Sequence, residues 1–214
     1  MRFILPLVLV VLAVPAAGQT LDCAKLKSSL MPFAITYEVK RSVGSATPTS
    51  NTEQSQIFRR SGETVVYNVP GPGRYLRVRS TASPLLPVEA YISSPPRLRS
   101  WSYSIDPNVD HLARRQPLDF TAEQRNEDGS VFMKARMTVS FSGIEKVQFA
   151  GCTLDVVKMM RTVDGTADGK PIANRTETRV SPELRAALFT RIEDPNYLVT
   201  YTATGISLDF KPVE

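Results

Sequence analysis

Between residues 131 and 141 the chain alternates with a period of two. Val131, Met133, Ala135, Met137, Val139 and Phe141 are apolar, and Lys134, Arg136, Thr138 and Ser140 fill most of the gaps. Successive side chains of an extended strand leave on opposite faces, so this period predicts a strand with one dry face and one wet face. Just upstream, Leu118, Phe120 and Ala122 alternate with Asp119, Thr121 and Glu123. Asp128-Gly129 separates the two runs with residues suited to the positive φ of a hairpin turn. A third run, Lys146 to Phe149, turns at Gly151 into Cys152, Leu154 and Val156. The stretch from Leu118 to Met160 is thus expected to form the antiparallel hairpins around which the rest is organised.

The same period recurs along the chain. Leu21 to Met31 spaces Cys23, Leu26 and Leu30 like one short amphipathic helix stopped by Pro32. Phe33, Ile35, Tyr37 and Val39 then alternate as a strand, and the small, polar segment from Gly44 to Asn51 follows as a loop. Gln54 to Arg60 and Glu63 to Val69 flank Ser61-Gly62 as a hairpin. After the Pro70-Gly71-Pro72-Gly73 break, the strand Arg74 to Ser80 puts Leu76 and Val78 on one face and Tyr75, Arg77 and Arg79 on the other.

From Pro84 to Pro117 repeated prolines predict irregular strands, Val88 to Ile92 and Arg97 to Ile105, with a long loop draped over the sheet. Asp164-Gly165 and Asp168-Gly169 are turn dipeptides expected to end the preceding strand in a projecting loop. Ser181-Pro182-Glu183 is a helix-start signal, and Leu198 to Tyr201 and Ile206 to Phe210 supply the last strands. The fold class expected is mainly β (α+β). It is a curved antiparallel meander sheet or half-barrel of about ten strands, with one N-terminal helix and a short helical insertion near residue 182.

At 214 residues and 42% hydrophobic content, one core is the natural expectation. The first residues carry Arg2, an apolar run from Phe3 to Val14, and small residues at Ala16, Ala17 and Gly18. That is the pattern of a secretory signal peptide. Cleavage after Gly18 fits best, with Ala16 and Ala17 as alternatives, which divides the chain into a signal at 1–18 and a single β-rich domain at 19–214. The run is too short for a membrane span, and no later stretch reaches about 18 uninterrupted apolar residues. The mature chain is therefore expected to lack a transmembrane segment and to reside in the periplasm, or alternatively outside the cell. An oxidising compartment lets Cys23 and Cys152 persist as a disulfide; two separate buried thiols are the other reading.

The formal net charge is +5, and its distribution says more than its total. Arg59, Arg60, Arg74, Arg77, Arg79, Arg97, Arg99, Arg114 and Arg115 fall between Phe58 and Arg115 with no lysine among them. Arginine favours bidentate contact with carboxylate or phosphate. Nucleic acid is an improbable partner for an exported chain, which leaves anionic envelope components; the plainer reading is a solvated arginine-rich face.

Signal, N-terminal helix and successive hairpins together resemble the half-barrel of periplasmic lipoprotein-localisation factors and related uncharacterised exported bacterial proteins. The segments Gly151-Cys152-Thr153-Leu154-Asp155-Val156, Val180-Ser181-Pro182-Glu183-Leu184 and Asp194-Pro195 are similar to the C-terminal half of some of those envelope proteins. The resemblance carries over no lipoprotein-binding residue.

Little in the chain suggests catalysis, and no catalytic residue is assigned. His111 is the single histidine, which excludes a multi-histidine zinc site, and it is expected on an exposed loop. Asp164 and Asp168 lack the spacing of a calcium loop, so neither metal nor cofactor is expected. Asn174-Arg175-Thr176 matches a glycosylation acceptor by chance. The first functional reading is a non-enzymatic envelope protein that binds an apolar or amphiphilic, lipid-like ligand. Leu118, Phe120, Met133, Met137, Val139, Phe141, Leu154 and Val156 would form its apolar face. The alternative is an interaction or scaffold module that meets another envelope protein or an anionic component through Tyr75, Arg77, Arg79, Arg97, Arg99, Trp101 and Tyr103. A hydrolase ranks third.

Overall fold

The computed structural model describes residues 21–28, 31–44, 46–60, 62–71, 74–82 and 84–213; the signal-peptide segment at 1–18 lies outside them. After α1 (Cys23–Ser28), six strands follow: β1 (Phe33–Val43), β2 (Thr49–Arg60), β3 (Glu63–Gly71), β4 (Arg74–Ser80), β5 (Pro87–Ser93) and β6 (Pro96–Tyr103). The short α2 (His111–Arg114) precedes β7 (Leu118–Asn126), β8 (Val131–Phe149), β9 (Cys152–Ala167), β10 (Lys170–Ser181), β11 (Ala186–Asp194) and β12 (Tyr197–Ser207).

Each strand pairs antiparallel with its neighbours in sequence, and β12 returns to β1, so the expected half-barrel is a closed barrel of twelve strands. The closing ladder sets Tyr37 opposite Ala203 and Val39 opposite Tyr201. Closure removes both sheet edges, which an open meander would leave exposed. Both strands expected in the proline-rich segment form. There, Pro87 and Pro96 start β5 and β6, positions where a missing N–H is tolerated.

One end of the barrel is plugged. Leu26 of α1, Leu112 of α2, and Leu86 and Leu184 from connecting turns are all buried there. Around Leu26 and Leu184 gather Phe33, Ile35, Ile57, Leu154 and Val156 in one apolar cluster. A second cluster holds Leu86, Leu112, Phe120, Met133, Met137, Val139 and Val157. β8 is able to serve both because a register shift between Ser142 and Ile144 bends its far half toward the first cluster. At the other end the connections are short turns, such as Asp168-Gly169, where φ values of 50° and 70° suit a tight hairpin.

Two turn expectations change in the structure. Asp164-Gly165 lies inside β9, where Gly165 pairs with Ala135. A Cβ on Gly165 would stand 2.2 Å from the Lys134 carbonyl oxygen, so glycine serves close approach there and not a turn. Residues 182–185 form a turn closed by Arg185 N–H donating to the Pro182 carbonyl at 3.3 Å, not a helix, because β10 and β11 leave only four residues between them. The second helix is α2, capped by the Asp110 carboxylate, which accepts from Ala113 N–H at 3.0 Å.

The outward rows of β7 and β8 are polar: Asp119 pairs with Arg136, and Thr138 with Thr162. On this wall, apolar inside and polar outside is the inverse of a membrane-spanning barrel, whose apolar band faces lipid. Among the described residues no helix is long and apolar enough to cross a membrane. The C-terminal segment lies over the outer wall, where the Gln56 side chain donates to the Lys211 carbonyl at 2.9 Å and accepts from Val213 N–H at 3.0 Å.

Candidate functional site: the barrel interior

Strand register assigns each predicted site residue to a wall. Leu118, Phe120, Met133, Met137, Val139 and Phe141 occupy inward positions on β7 and β8, facing Leu86 and Leu112 across one cluster. Leu154 and Val156 are inward too, but they belong to the other cluster with Leu26 and Leu184. The apolar row is thus divided between two packed regions. Its β8 members Met133, Met137 and Val139 are less than a tenth exposed.

The arginine-aromatic set is also divided. Tyr75, Arg77 and Arg79 face outward from β4. Arg77 meets Glu89 at 2.7 Å, and Arg79 lies 3.4 Å from Glu63 and 3.6 Å from Glu89. The Arg77 guanidinium also covers Tyr91, and the rings of Phe58, Tyr67, Tyr75 and Tyr91 follow one another across β2 to β5. Arg97, Arg99, Trp101 and Tyr103 instead occupy inward positions on β6, on the other side of the wall. Period-two alternation places each set on one side of its own strand, but it cannot say that adjacent regions of the barrel present opposite phases.

The interior is filled unevenly. Most inward residues of β7 to β9 are buried, with Leu118, Phe141, Arg161 and Ala167 partly exposed, whereas Leu76 and Val78 on β4, Ala90 and Ile92 on β5, and Trp101 on β6 are all partly exposed although register turns them inward. The interior is thus less completely packed along β4 to β6 than along β7 to β9, and among the described residues no helix covers the unplugged end. Its charge is predominantly positive. Toward that end Arg41, Arg97, Arg99 and Arg161 take inward positions, and the strands offer Glu53 as inward carboxylate, with Asp168 and Asp194 at the rim turns. Arg41 is matched, since its guanidinium pairs with Glu53 and lies over Tyr201.

Arg161 is not matched. It stands on β9 between Val139 and Thr176 of the neighbouring strands, its Nε is sealed from solvent, and among the described residues no side chain or carbonyl accepts from that nitrogen. Burial lowers its pKa from the ordinary guanidinium value, partly opposed by Tyr103 from β6, with which it interacts across the interior. Burial likewise raises the Tyr103 phenol, whose hydroxyl donates to the Pro87 carbonyl at 2.6 Å. Trp101 stacks on Tyr103 with ring centroids 6.0 Å apart, and its indole N–H is buried without an acceptor. Arg99, one inward step along β6, lies over the Phe132 ring at 3.3 Å and leaves its Nε unpaired. Its pKa is lowered by burial and by Arg97, against the opposing charge of Asp168.

Sequence reading missed Arg161, although a signal was present: Val157, Met159 and Val163 are apolar at alternate positions, and an arginine interrupts their row. Arg59 was assigned to the arginine-rich stretch but given no role. It is buried at the plugged end, donating to the carbonyls of Glu183 at 2.9 Å and Leu26 at 2.8 Å and lying over the Phe33 ring. His111 is buried in α2, not exposed, with Nε2 2.9 Å from the Asp106 carbonyl. Among the described residues no cluster of histidine, cysteine, aspartate or glutamate could hold a metal ion.

No protein-family model and no curated protein matches the chain. Similar solved structures include the hypothetical lipoprotein YmcC from Escherichia coli, at 9% identity and a TM-score of 0.43, over 83% of this chain and 89% of that one. A beta-barrel-like protein of domain of unknown function DUF1849 from Brucella abortus gives 7% identity and 0.41, over 83% and 98%. A LolA superfamily protein from Nitrosomonas europaea gives 8% and 0.37, over 89% and 91%. The functional reading stands on the residues alone.

Proposed function

We propose that this chain is an exported, non-enzymatic envelope protein that binds an apolar or amphiphilic ligand inside its barrel, admitted at the end opposite the two helices. The observation that carries this reading is the uneven filling of the interior. Leu76, Val78, Ala90 and Ile92 face inward and remain partly exposed, while most inward residues of β7 to β9 are buried. Apolar surface left open inside a concavity is the usual lining of a small-molecule site. Export is supported by the charged, apolar and small-residue pattern of the first eighteen residues and by a disulfide that needs an oxidising compartment.

The interaction-module reading draws less support, because the outward Arg77 and Arg79 already have carboxylate partners in Glu63 and Glu89. Native mass spectrometry of protein purified without detergent from the exported fraction tests the proposal. A co-purified small amphiphile, released on unfolding, is expected. A uniformly apo species that also fails to take up added fatty acid would refute it.

A further inference from the structure

We infer that the ligand is an acyl chain bearing an anionic head group, a carboxylate or phosphate ester, and that Arg161 holds that head group with Trp101 beside it. The inference rests on the interior-binding reading above and specifies its chemistry.

A buried guanidinium is costly unless a charge or hydrogen-bond acceptor compensates it. Elsewhere this chain provides that compensation: Arg41 pairs with Glu53, Arg59 with two backbone carbonyls, Arg77 with Glu89 and Arg136 with Asp119. Arg161 is the inward arginine of the β7 to β9 wall; the residue is partly exposed, and its Nε is sealed from water with no acceptor among the described residues, as are the Nε atoms of Arg59 and Arg99. Tyr103, which interacts with Arg161, stacks on Trp101, whose indole N–H is a second buried donor without an acceptor, and Thr176, the β10 neighbour of Arg161, has a buried hydroxyl with no partner. Buried donors without acceptors on neighbouring inward positions suit an oxyanion, which accepts from several N–H and O–H groups at once.

The surroundings set the rest of the ligand. Trp101 and Tyr103 form a flat stacked wall, and the half-exposed Leu76, Val78, Ala90 and Ile92 continue it as apolar surface suited to a hydrocarbon chain. Arg97 and Arg99 lie closer to the open end and would raise the local concentration of anions there. A neutral amphiphile would leave the Arg161 donors unsatisfied, so head-group charge should decide affinity.

Isothermal titration calorimetry of the mature, oxidised protein with decanoate, decyl phosphate and decanol tests this. Decanoate or decyl phosphate should bind about tenfold or more tightly than decanol, and the tighter of the two identifies the head group. Arg161→Gln should erase that preference by weakening the anions while leaving decanol unchanged. Arg161→Lys, which keeps the charge, should retain part of it. Arg175→Gln on the outer wall should change nothing. If decanol binds as tightly as the anions, or if Arg161→Gln or Arg161→Lys keeps the full preference, the head-group assignment is overturned while interior binding stands. If none of the three binds, the interior-binding reading falls as well. Because the comparison of the three ligands is made on the parent protein, a variant that fails to fold leaves the head-group test intact.

Discussion

Cys23, the first residue of α1, is bonded to Cys152, the first residue of β9, across 129 positions of sequence. Cys152 follows the Ala150-Gly151 turn at the plugged end, so the bond fastens the N-terminal plug to the wall it covers. A cross-link closing so long a loop is worth about 4 to 5 kcal/mol in the chain-entropy account. Reduction, or Cys152→Ser, should lower the chemical-denaturation midpoint accordingly, and intact-mass analysis with an alkylating agent but no reductant should find no free thiol.

Met137 is 6% exposed and packed among Phe120, Val163 and the plug leucines. Met137→Ala therefore creates a cavity and should cost about 2 to 5 kcal/mol by urea denaturation. The double variant Arg77→Ala with Arg79→Ala breaks only partly exposed ion pairs on the outer wall, and it should cost about 1 kcal/mol or less.

Much of this architecture was legible in the sequence, for a physical reason: a strand with one buried face writes its period into the residues. Leu118 to Phe141 fell into β7 and β8 with the inward row correct from Met133 on, while a register shift between Gln124 and Arg125 leaves Val131 exposed, and Cys23 and Cys152 had no competing cysteine. Closure was not legible, because the ladder of Tyr37 on Ala203 joins the two ends of the chain and no local pattern encodes it. Asp164-Gly165 reads as a turn in isolation, yet the strand passes through it because Gly165 permits contact with β8. The candidate site residues were harder still. Arg97 and Arg99 look like a continuation of Arg77 and Arg79 until pairing places the two sets on opposite sides of the wall.

Gly165 offers a sharp test of that close approach. Gly165→Ala would place a methyl group against the Lys134 carbonyl and Ala135 Cβ, so the β8 to β9 ladder must shift. A loss of about 1 to 3 kcal/mol or more is expected. Gly205→Ala, where no atom lies within 4 Å of the added carbon, should cost less on the same assay.

Arg59 bridges α1 and the 182–185 turn through the Leu26 and Glu183 carbonyls. Arg59→Met keeps apolar bulk over Phe33 but leaves those carbonyls without their donor, which should cost on the order of 3 kcal/mol. Hydrogen exchange should show the loss concentrated in α1 and the turn, with β7 to β9 still protected.

Trp101 is the single tryptophan of the chain, and it faces the interior beside Tyr103. Its emission therefore reports on whether the barrel holds a ligand. Titration of the delipidated, oxidised protein with a bromine-labelled fatty acid should quench Trp101 saturably, and unlabelled fatty acid should reverse the quenching. Emission that stays constant, or that falls only linearly with added lipid, would contradict binding inside the barrel.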